Sequence, residues 1–360
     1  MDKPRLLFIN PGQFGYKTGS YYYCKYLREF FRIQFICFDQ ELSKMDLEGV
    51  EVAYVTHGSN WIFNQYRWFL ALYRKLSRKQ YDLVFTVFFR FCFLIPLLFP
   101  SQKIVLDIRT GSLKDNVLLN WMHMLRIRLS SLLFSSINII SEGLRQKLGI
   151  PSRKSHITPL GAERISSTEK SFDELRLLYV GNLFKRNIPE TIEGLKVFLD
   201  TTNVDSDQIS YDIFGFGDEK EKLALIESIE MNDLGDVVTF HGRKNHREIK
   251  PYYDQCNVGI AYVPLKDYFE VQPTTKIFEY TLSGLACIAT ATIENQKLIQ
   301  PENGVLCHDS PQAFSAALAE VYHKRESYQS HDIRRTMDGH SWQEVVNTSL
   351  YPYLNSLLTT

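Results

Sequence analysis

The sequence predicts an α/β protein of two doubly wound domains, each a parallel sheet covered on both faces by helices, facing one another across a cleft. Three observations carry this expectation. The chain has 360 residues, too long for one ordinary core and comfortable for two. An alternation of short apolar strands with helical patterns runs through the first half and then starts again in the second. Between them, after the turn Pro159-Leu160-Gly161, a polar stretch rich in Ser and Glu runs to Asp173.

The elements follow in order. RLLFIN reads as a strand and SYYYCKYLREFF as a helix; IQFICFD and VEVAYV are the next strands. Residues 61–79 have helical spacing, and YDLVFTVF and KIVLDI follow as strands. The second alternation opens with LRLLYVG, passes through a helix over 190–199, and returns to ISYDIFGFG. VVTFHG, VGIAYV and ACIATA are its further strands, separated by helical segments. In such sheets ligands bind outside the carboxyl ends of the strands. No repeat of solenoid period and no low-complexity tract interrupts the pattern.

Composition narrows the class. The chain is 44% hydrophobic and 23% charged, as in soluble globular proteins. Six cysteines show no CxxC spacing, which points to reduced thiols in the cytoplasm and against a disulfide framework or zinc site. The start lacks the long apolar run of a secretory signal, and the apolar stretch 91–99 contains Pro96 and is far shorter than the ~20 residues of a spanning helix. The formal net charge is zero, yet residues 1–165 carry 23 Lys and Arg against 12 Asp and Glu, and the remainder 18 against 29. The basic half either meets an anionic partner or is merely solvated. Basic, aromatic helical stretches over 61–79 and 121–134 suit an anionic membrane interface. They equally suit helices packed on a sheet with snorkelling cations.

The most informative segment is EVQPTTKIFEYTLSGLACIAT, 270–290. Pro273 fits the first helical position. The amides of Thr274, Thr275 and Lys276 then stand unpaired at a helix N-terminus, a setting for a diphosphate. Glu279 lies one turn deeper on the same face as Thr275 and Lys276, placed to accept from a ribose diol. An ordinary capped amphipathic helix would show the same pattern. LLYVGNLFKRNIPETIEGL, 177–195, adds a strand ending at Gly181, then Asn182, then the basic pair Lys185 and Arg186 before a helix. A guanidinium there can grip two phosphate oxygens at once. In DIFGFG, Gly215 and Gly217 allow close backbone approach or simply make a turn. The loop GQFGYKTG, 12–19, with Gly15 at its centre, either approaches a diphosphate or is a strand-to-helix turn. Asp205-Ser206-Asp207 spells DxD but sits in a polar loop remote from the expected cleft. His241 and His246 lack partners at metal-ligand spacing, which suggests a structural or base-contacting role.

The ordered set YVGNL (179–183), FGFG (214–217), TFHGR (239–243), YYDQCNVGIAYVP (252–264) and TKIFEYTLSGLACIAT (275–290) resembles the family-4 glycosyltransferases of the GT-B fold. ISEGLRQKLGI (140–150), ITPLGAER (157–164) and the GHSW segment with its long helix extend the resemblance over nearly the whole chain. It implies two Rossmann-like domains: an acceptor domain over 1–164, a nucleotide-sugar donor domain over 165–338, and a helix over 339–360 crossing back to the first. It also implies retention of anomeric configuration and no essential metal. Donor binding then falls to Gly15, Gly181, Asn182, Lys185, Gly215, Arg243, Gln272, Thr274, Thr275 and Glu279. Arg186 and Lys276 serve catalysis, and DIRTGS (107–112) contributes Asp107 and Arg109 where many members place a histidine. The sequence departs from the family at Val271, eight residues before Glu279, where a second glutamate usually stands. Glu270 is one residue further away, so amides near Gln272 are expected to take that work.

The expected activity is sugar transfer from a nucleotide diphosphate sugar to a hydroxyl of a saccharide or lipid-linked acceptor, in bacterial surface polysaccharide or glycoconjugate synthesis. The expected place is the cytoplasm or the inner membrane surface, with no nucleic-acid partner. A nucleotide-sugar epimerase of the same architecture would need a cluster of acid/base carboxylates and histidines. A silent nucleotide-sugar-binding scaffold would differ only in releasing no nucleotide.

Overall fold

The computed structural model describes residues 3–111 and 116–359; Ser112, the last residue of DIRTGS, lies outside them. The chain divides into two compact units, Met1–Leu160 with Trp342–Thr360, and Gly161–Ser341. These bounds differ by a few residues from 164/165 and 338/339. The reason is local: the Ala162 N–H donates to His340 O at 3.0 Å, and Ala162 bridges Ser341, which ties both ends of the second unit to each other.

The first unit holds seven parallel strands: β1 (Arg5–Ile9), β2 (Arg32–Asp39), β3 (Val50–Thr56), β4 (Leu83–Val87), β5 (Ile104–Ile108), β6 (Ser136–Ile139) and β7 (Ser155–Ile157). Their order is β3-β2-β1-β4-β5-β6-β7. β1, β4 and β5 read as near-continuous apolar runs because helices cover both faces of a parallel sheet. The second unit holds β8 (Leu175–Asn182), β9 (Ile209–Phe216), β10 (Val238–Gly242), β11 (Val258–Ala261), β12 (Ala286–Thr290) and β13 (Gly304–Cys307), in the order β10-β9-β8-β11-β12-β13. Both orders reverse direction beside the first strand of the unit, the doubly wound arrangement whose crevice lies at that reversal. β6, β7 and β13 are strands the sequence reading did not find. They are three or four residues long, shorter than a periodicity needs to show itself.

Helix ends follow local chemistry. Asn60 accepts from the amides of Ile62 and Phe63 and starts the helix Trp61–Leu76. Ser141 caps Glu142–Leu148, which Gly149 ends in the left-handed region at φ 65°. The C-terminal helical segment Trp342–Thr359 belongs to the first unit, where Trp342 is buried, stacked on Tyr22 and edge-on to Tyr23. Among the described residues no helix is long and apolar enough to cross a membrane.

Candidate active site

The crevice of the second unit is built where β8 and β11 part. Their pairing covers only Leu177 and Leu178 of β8, against Val258 and Gly259. Beyond it the buried Tyr280 lies across Gly259, where a Cβ would meet its Cγ at 2.2 Å. The Tyr280 hydroxyl accepts from the Val180 N–H at 2.9 Å. One aromatic side chain thus fills the gap, satisfies the amide that lost its strand partner, and fixes the helix Thr275–Leu282 against the sheet. That helix begins two residues later than Pro273 suggested. Thr274 is its cap and accepts from the Lys276 N–H at 3.3 Å, so a threonine side chain, rather than proline, sets the start.

On the other side of the crevice the loop after β8 is folded back on itself. Asn182 Oδ1 accepts from the Phe184 N–H at 2.8 Å, and Asn182 O accepts from the Tyr179 hydroxyl at 2.6 Å. Lys185 and Asn187 both have φ near +50° (57° and 50°), the left-handed region, so the backbone turns twice within three residues. The turn aims Arg186 inward, with its guanidinium 4.3 Å from the centre of the Phe269 ring. Lys185 points elsewhere, toward the rings of Phe184 and Tyr268 at 5.1 and 5.9 Å.

Between these walls lies a cavity of about 250 Å³, lined by Tyr179, Gly181, Asn182, Arg186, Phe216, the strand end 261–263, and Thr274, Thr275 and Lys276. Among the described residues Arg186 has no carboxylate partner. Burial pushes its guanidinium below the usual range, and an arginine stays charged regardless. Lys276 Nζ lies 2.9 Å from Glu279 Oε2, both side chains about one-fifth exposed. Gly181 leaves room for this lysine, since a Cβ there would meet its Cε at 3.2 Å. An unpaired cation, a half-neutralised one and the start of a helix converge on one small space, a setting that favours a bound anion.

A second cavity of about 630 Å³ shares Asn182 and Phe216 with the first and continues along the carboxyl ends of β9 and β10, past Gly215, Gly217, Phe240 and Arg243. Gly215 is required by space: a Cβ would sit 2.7 Å from Leu183 Cδ2. The β9–β10 register shifts between Phe240 and Gly242, and this bulge brings the Arg243 guanidinium to 5.3 Å from the Phe216 ring. The same bulge holds His241, which has a partner that sequence spacing did not show. His241 Nε2 is 2.6 Å from Asp212 Oδ1, and its ring stacks on Phe214 at 4.3 Å.

Several expected residues stand elsewhere. Glu279 lines neither cavity and reaches the site through Lys276. The Gln272 N–H donates to Phe269 O at 3.3 Å and its side chain to Tyr268 O at 2.7 Å, so both close a turn rather than face the cavity. Glu270 accepts from the Ile293 N–H at 2.8 Å. Asp205 and Asp207 precede β9, at the end of that strand opposite Gly215. In the first unit Asp107 is buried. Its Oδ1 accepts from Asn138 Nδ2 at 2.8 Å, and Asn138 Oδ1 accepts in turn from Thr158 Oγ1 at 2.6 Å. Arg109 donates to Thr158 O at 2.9 Å and Pro159 O at 3.4 Å. Both are bonded within the frame of their own unit, and neither lines the two cavities of the second unit. Gly15, at φ 91°, stands where a Cβ would meet Met45 Sδ at 2.2 Å. Space and backbone conformation account for it as a turn residue, and Gln13 bonds its loop to residues 40 and 42.

The sequence reading did not find Tyr179, Phe216 or Tyr262. All three lie in or directly after a strand near its carboxyl end, so strand direction alone was the signal.

Residues 174–324 match the family described as "Glycosyl transferases group 1". Among curated proteins none matches the chain. Similar solved structures include sucrose-phosphate synthase from Thermosynechococcus elongatus, with a TM-score of 0.79 and 14% identity over 99% of this chain and 100% of that one. A glycosyltransferase from Rickettsia africae gives 0.75 and 14%, over 99% of both chains. Anabaena HepE, solved in complex with UDP, gives 0.72 and 13%, over 98% and 100%. At these identities the likeness is one of fold, and it is the GT-B fold of two Rossmann-like domains. The second unit thus carries a domain that matches the group 1 glycosyltransferases, within a chain of GT-B fold.

Proposed function

We propose that the protein transfers a sugar, with retention of configuration and no essential metal, from a nucleotide diphosphate sugar to a hydroxyl of a saccharide or lipid-linked acceptor in bacterial surface glycoconjugate synthesis. The observation that carries the donor class is the convergence of Arg186, Lys276 and the start of helix Thr275–Leu282 on one cavity. The diphosphate occupies that smaller cavity and the nucleoside the adjoining larger one, where the base meets Phe216 and Arg243. The HepE structures with UDP, and with UDP and glucose, support trying uridine diphosphate sugars first.

As the glycosidic bond lengthens, negative charge grows on the departing diphosphate. Arg186 and Lys276 are held in place before that charge develops, so they stabilise it without reorganising. Glu279 keeps Lys276 aligned from below. The acceptor proton passes to a leaving-group oxygen, so no protein nucleophile is needed. The basic excess of the first half supports work beside an anionic inner membrane surface.

The test is to incubate purified protein with a panel of uridine, guanosine and adenosine diphosphate sugars, with and without acceptors, and to follow nucleotide release. Release from one donor class, persisting in EDTA, is the expected result. No release from any donor leaves a binding scaffold, and loss in EDTA restored by magnesium overturns the metal-free reading.

A further inference from the structure

The first unit carries an unusual collar at the carboxyl edge of its sheet. The helix Trp61–Leu76 starts there after β3, and the helix Val117–Leu132 starts there after β5. Both present large apolar side chains to solvent in their first two turns. Trp61, Ile62 and Phe63 are 48, 69 and 61% exposed, and Leu118 and Trp121 are 63 and 59% exposed. Soluble surfaces scatter such residues singly and seldom gather them. The loop after β4 joins the two helix starts into one surface. Arg90 lies 4.7 Å from the Trp61 ring centre and 5.0 Å from that of Phe91, and Phe88 meets His123 edge-on at 6.0 Å. Phe91 itself has φ 68°, a conformation that costs a bulky residue free energy.

The cations of this surface are Arg67 and Arg90, both exposed; Lys75, Arg78 and Lys103 stand at the opposite, amino edge of the sheet. Between residues 57 and 100 the one carboxylate in the sequence is Asp82, and it too sits at the amino edge, accepting from the Arg5 N–H. Aromatic and aliphatic side chains with exposed arginines among them match the boundary between anionic headgroups and acyl chains. We infer that this collar seats the first unit on an anionic lipid bilayer, inserting Trp61, Phe63, Leu118 and Trp121 to headgroup depth. The inference deepens the proposed function, resting on its reading of a lipid-linked acceptor. The carboxyl edge is where a doubly wound sheet takes its ligands, so the contact brings the acceptor-side edge to the level of a lipid-borne hydroxyl.

The tryptophans provide the test. Of the four in the chain, Trp61 and Trp121 are in the collar, whereas Trp68 and Trp342 are 1 and 2% exposed. The full-length protein is mixed with vesicles of brominated phosphatidylcholine containing phosphatidylglycerol, and with vesicles of the brominated neutral lipid alone. Quenching on the anionic vesicles, reversed by salt and confined to Trp61 and Trp121, is expected. A Trp61→Phe/Trp121→Phe variant should lose the quenching yet still sediment with vesicles. A Phe63→Glu/Leu118→Glu variant should sediment at least ~10-fold less, since two apolar insertions are removed, while its nucleotide release with a soluble acceptor stays unchanged. Absent quenching, equal binding to neutral vesicles, undiminished sedimentation of the Glu variant, or a dimer that buries the same tryptophans would each overturn the inference. Nucleotide release is read separately, so failure of the membrane contact is distinguishable from failure of the transferase reading.

Discussion

Arg186 stands in a setting that favours an anion beside it. Its charge is partly withdrawn from water, stacked on Phe269, and among the described residues without a carboxylate. Replacing it with Gln should lower kcat by ~10²-fold, with a smaller rise in KM, because the interaction strengthens as the diphosphate departs. An effect on KM alone would make it a ground-state anchor. Glu279→Ala should weaken donor binding by roughly 1.5–3 kcal/mol through loss of the charge-assisted contact that holds Lys276 in place; unchanged affinity by calorimetry would reject that role. Asp107 gives a prediction of another kind. Burial pushes its carboxyl up to about 6, against the opposing pull of Arg109 and Asn138. The folded state therefore favours the protonated form. The stability it contributes is complete below about pH 3.9, the unfolded value, and is lost as pH rises through the folded value. The melting temperature of the wild type should fall relative to Asp107→Asn between pH 5 and 7, and parallel profiles would contradict this.

At the scale of elements, the crevice depends on one aromatic ring replacing a length of strand pairing. Tyr280→Phe keeps the ring over Gly259 but strands the Val180 N–H at the mouth of the site. A cost of ~1–3 kcal/mol in chemical denaturation is expected, the penalty for an unsatisfied buried donor. A cost near zero would mean that water replaces the phenol. This arrangement was not legible in the sequence. Gly259 and Tyr280 are each ordinary in isolation, and only the parting of β8 from β11 brings them together. The helix start was legible to within two residues, because Pro273-Thr274-Thr275 contains both possible start signals and cap geometry alone decides between them. The partner of His241 was not legible for a related reason: Asp212 is on the neighbouring strand, and a bulge sets their meeting.

At the scale of the whole molecule, the chain's end helps build its beginning. Trp342 stacks on Tyr22, and Tyr351 stacks on Phe30 at 3.8 Å, so the last helical segment completes the aromatic packing of the first unit. Trp342→Ala should destabilise that unit by ~3–5 kcal/mol, as for other buried large-to-small changes. Nucleotide binding by the second unit should persist at temperatures where the first still melts cooperatively. A loss under about 1 kcal/mol in urea titration would show that the pocket left by the indole closes up.

The sequence by itself determined the two parallel sheets and the carboxyl edges at which glycines and cations gather. It did so because strand–helix alternation and apolar runs are local patterns, readable over ten or twenty residues. It also singled out Gly181, Asn182, Arg186, Thr274, Thr275 and Lys276, which the structure places around one cavity. Only the tertiary structure decided which neighbours of those residues share the site. It directed Arg186 inward and Lys185 aside by two left-handed turns, and it set Glu279 behind Lys276. It also withdrew Asp107 and Arg109 into a hydrogen-bonded frame with Asn138, Thr158 and Pro159. The physical reason is the same in each case. A side chain's direction and its last hydrogen bond depend on residues distant in the chain, and composition and spacing carry no record of them.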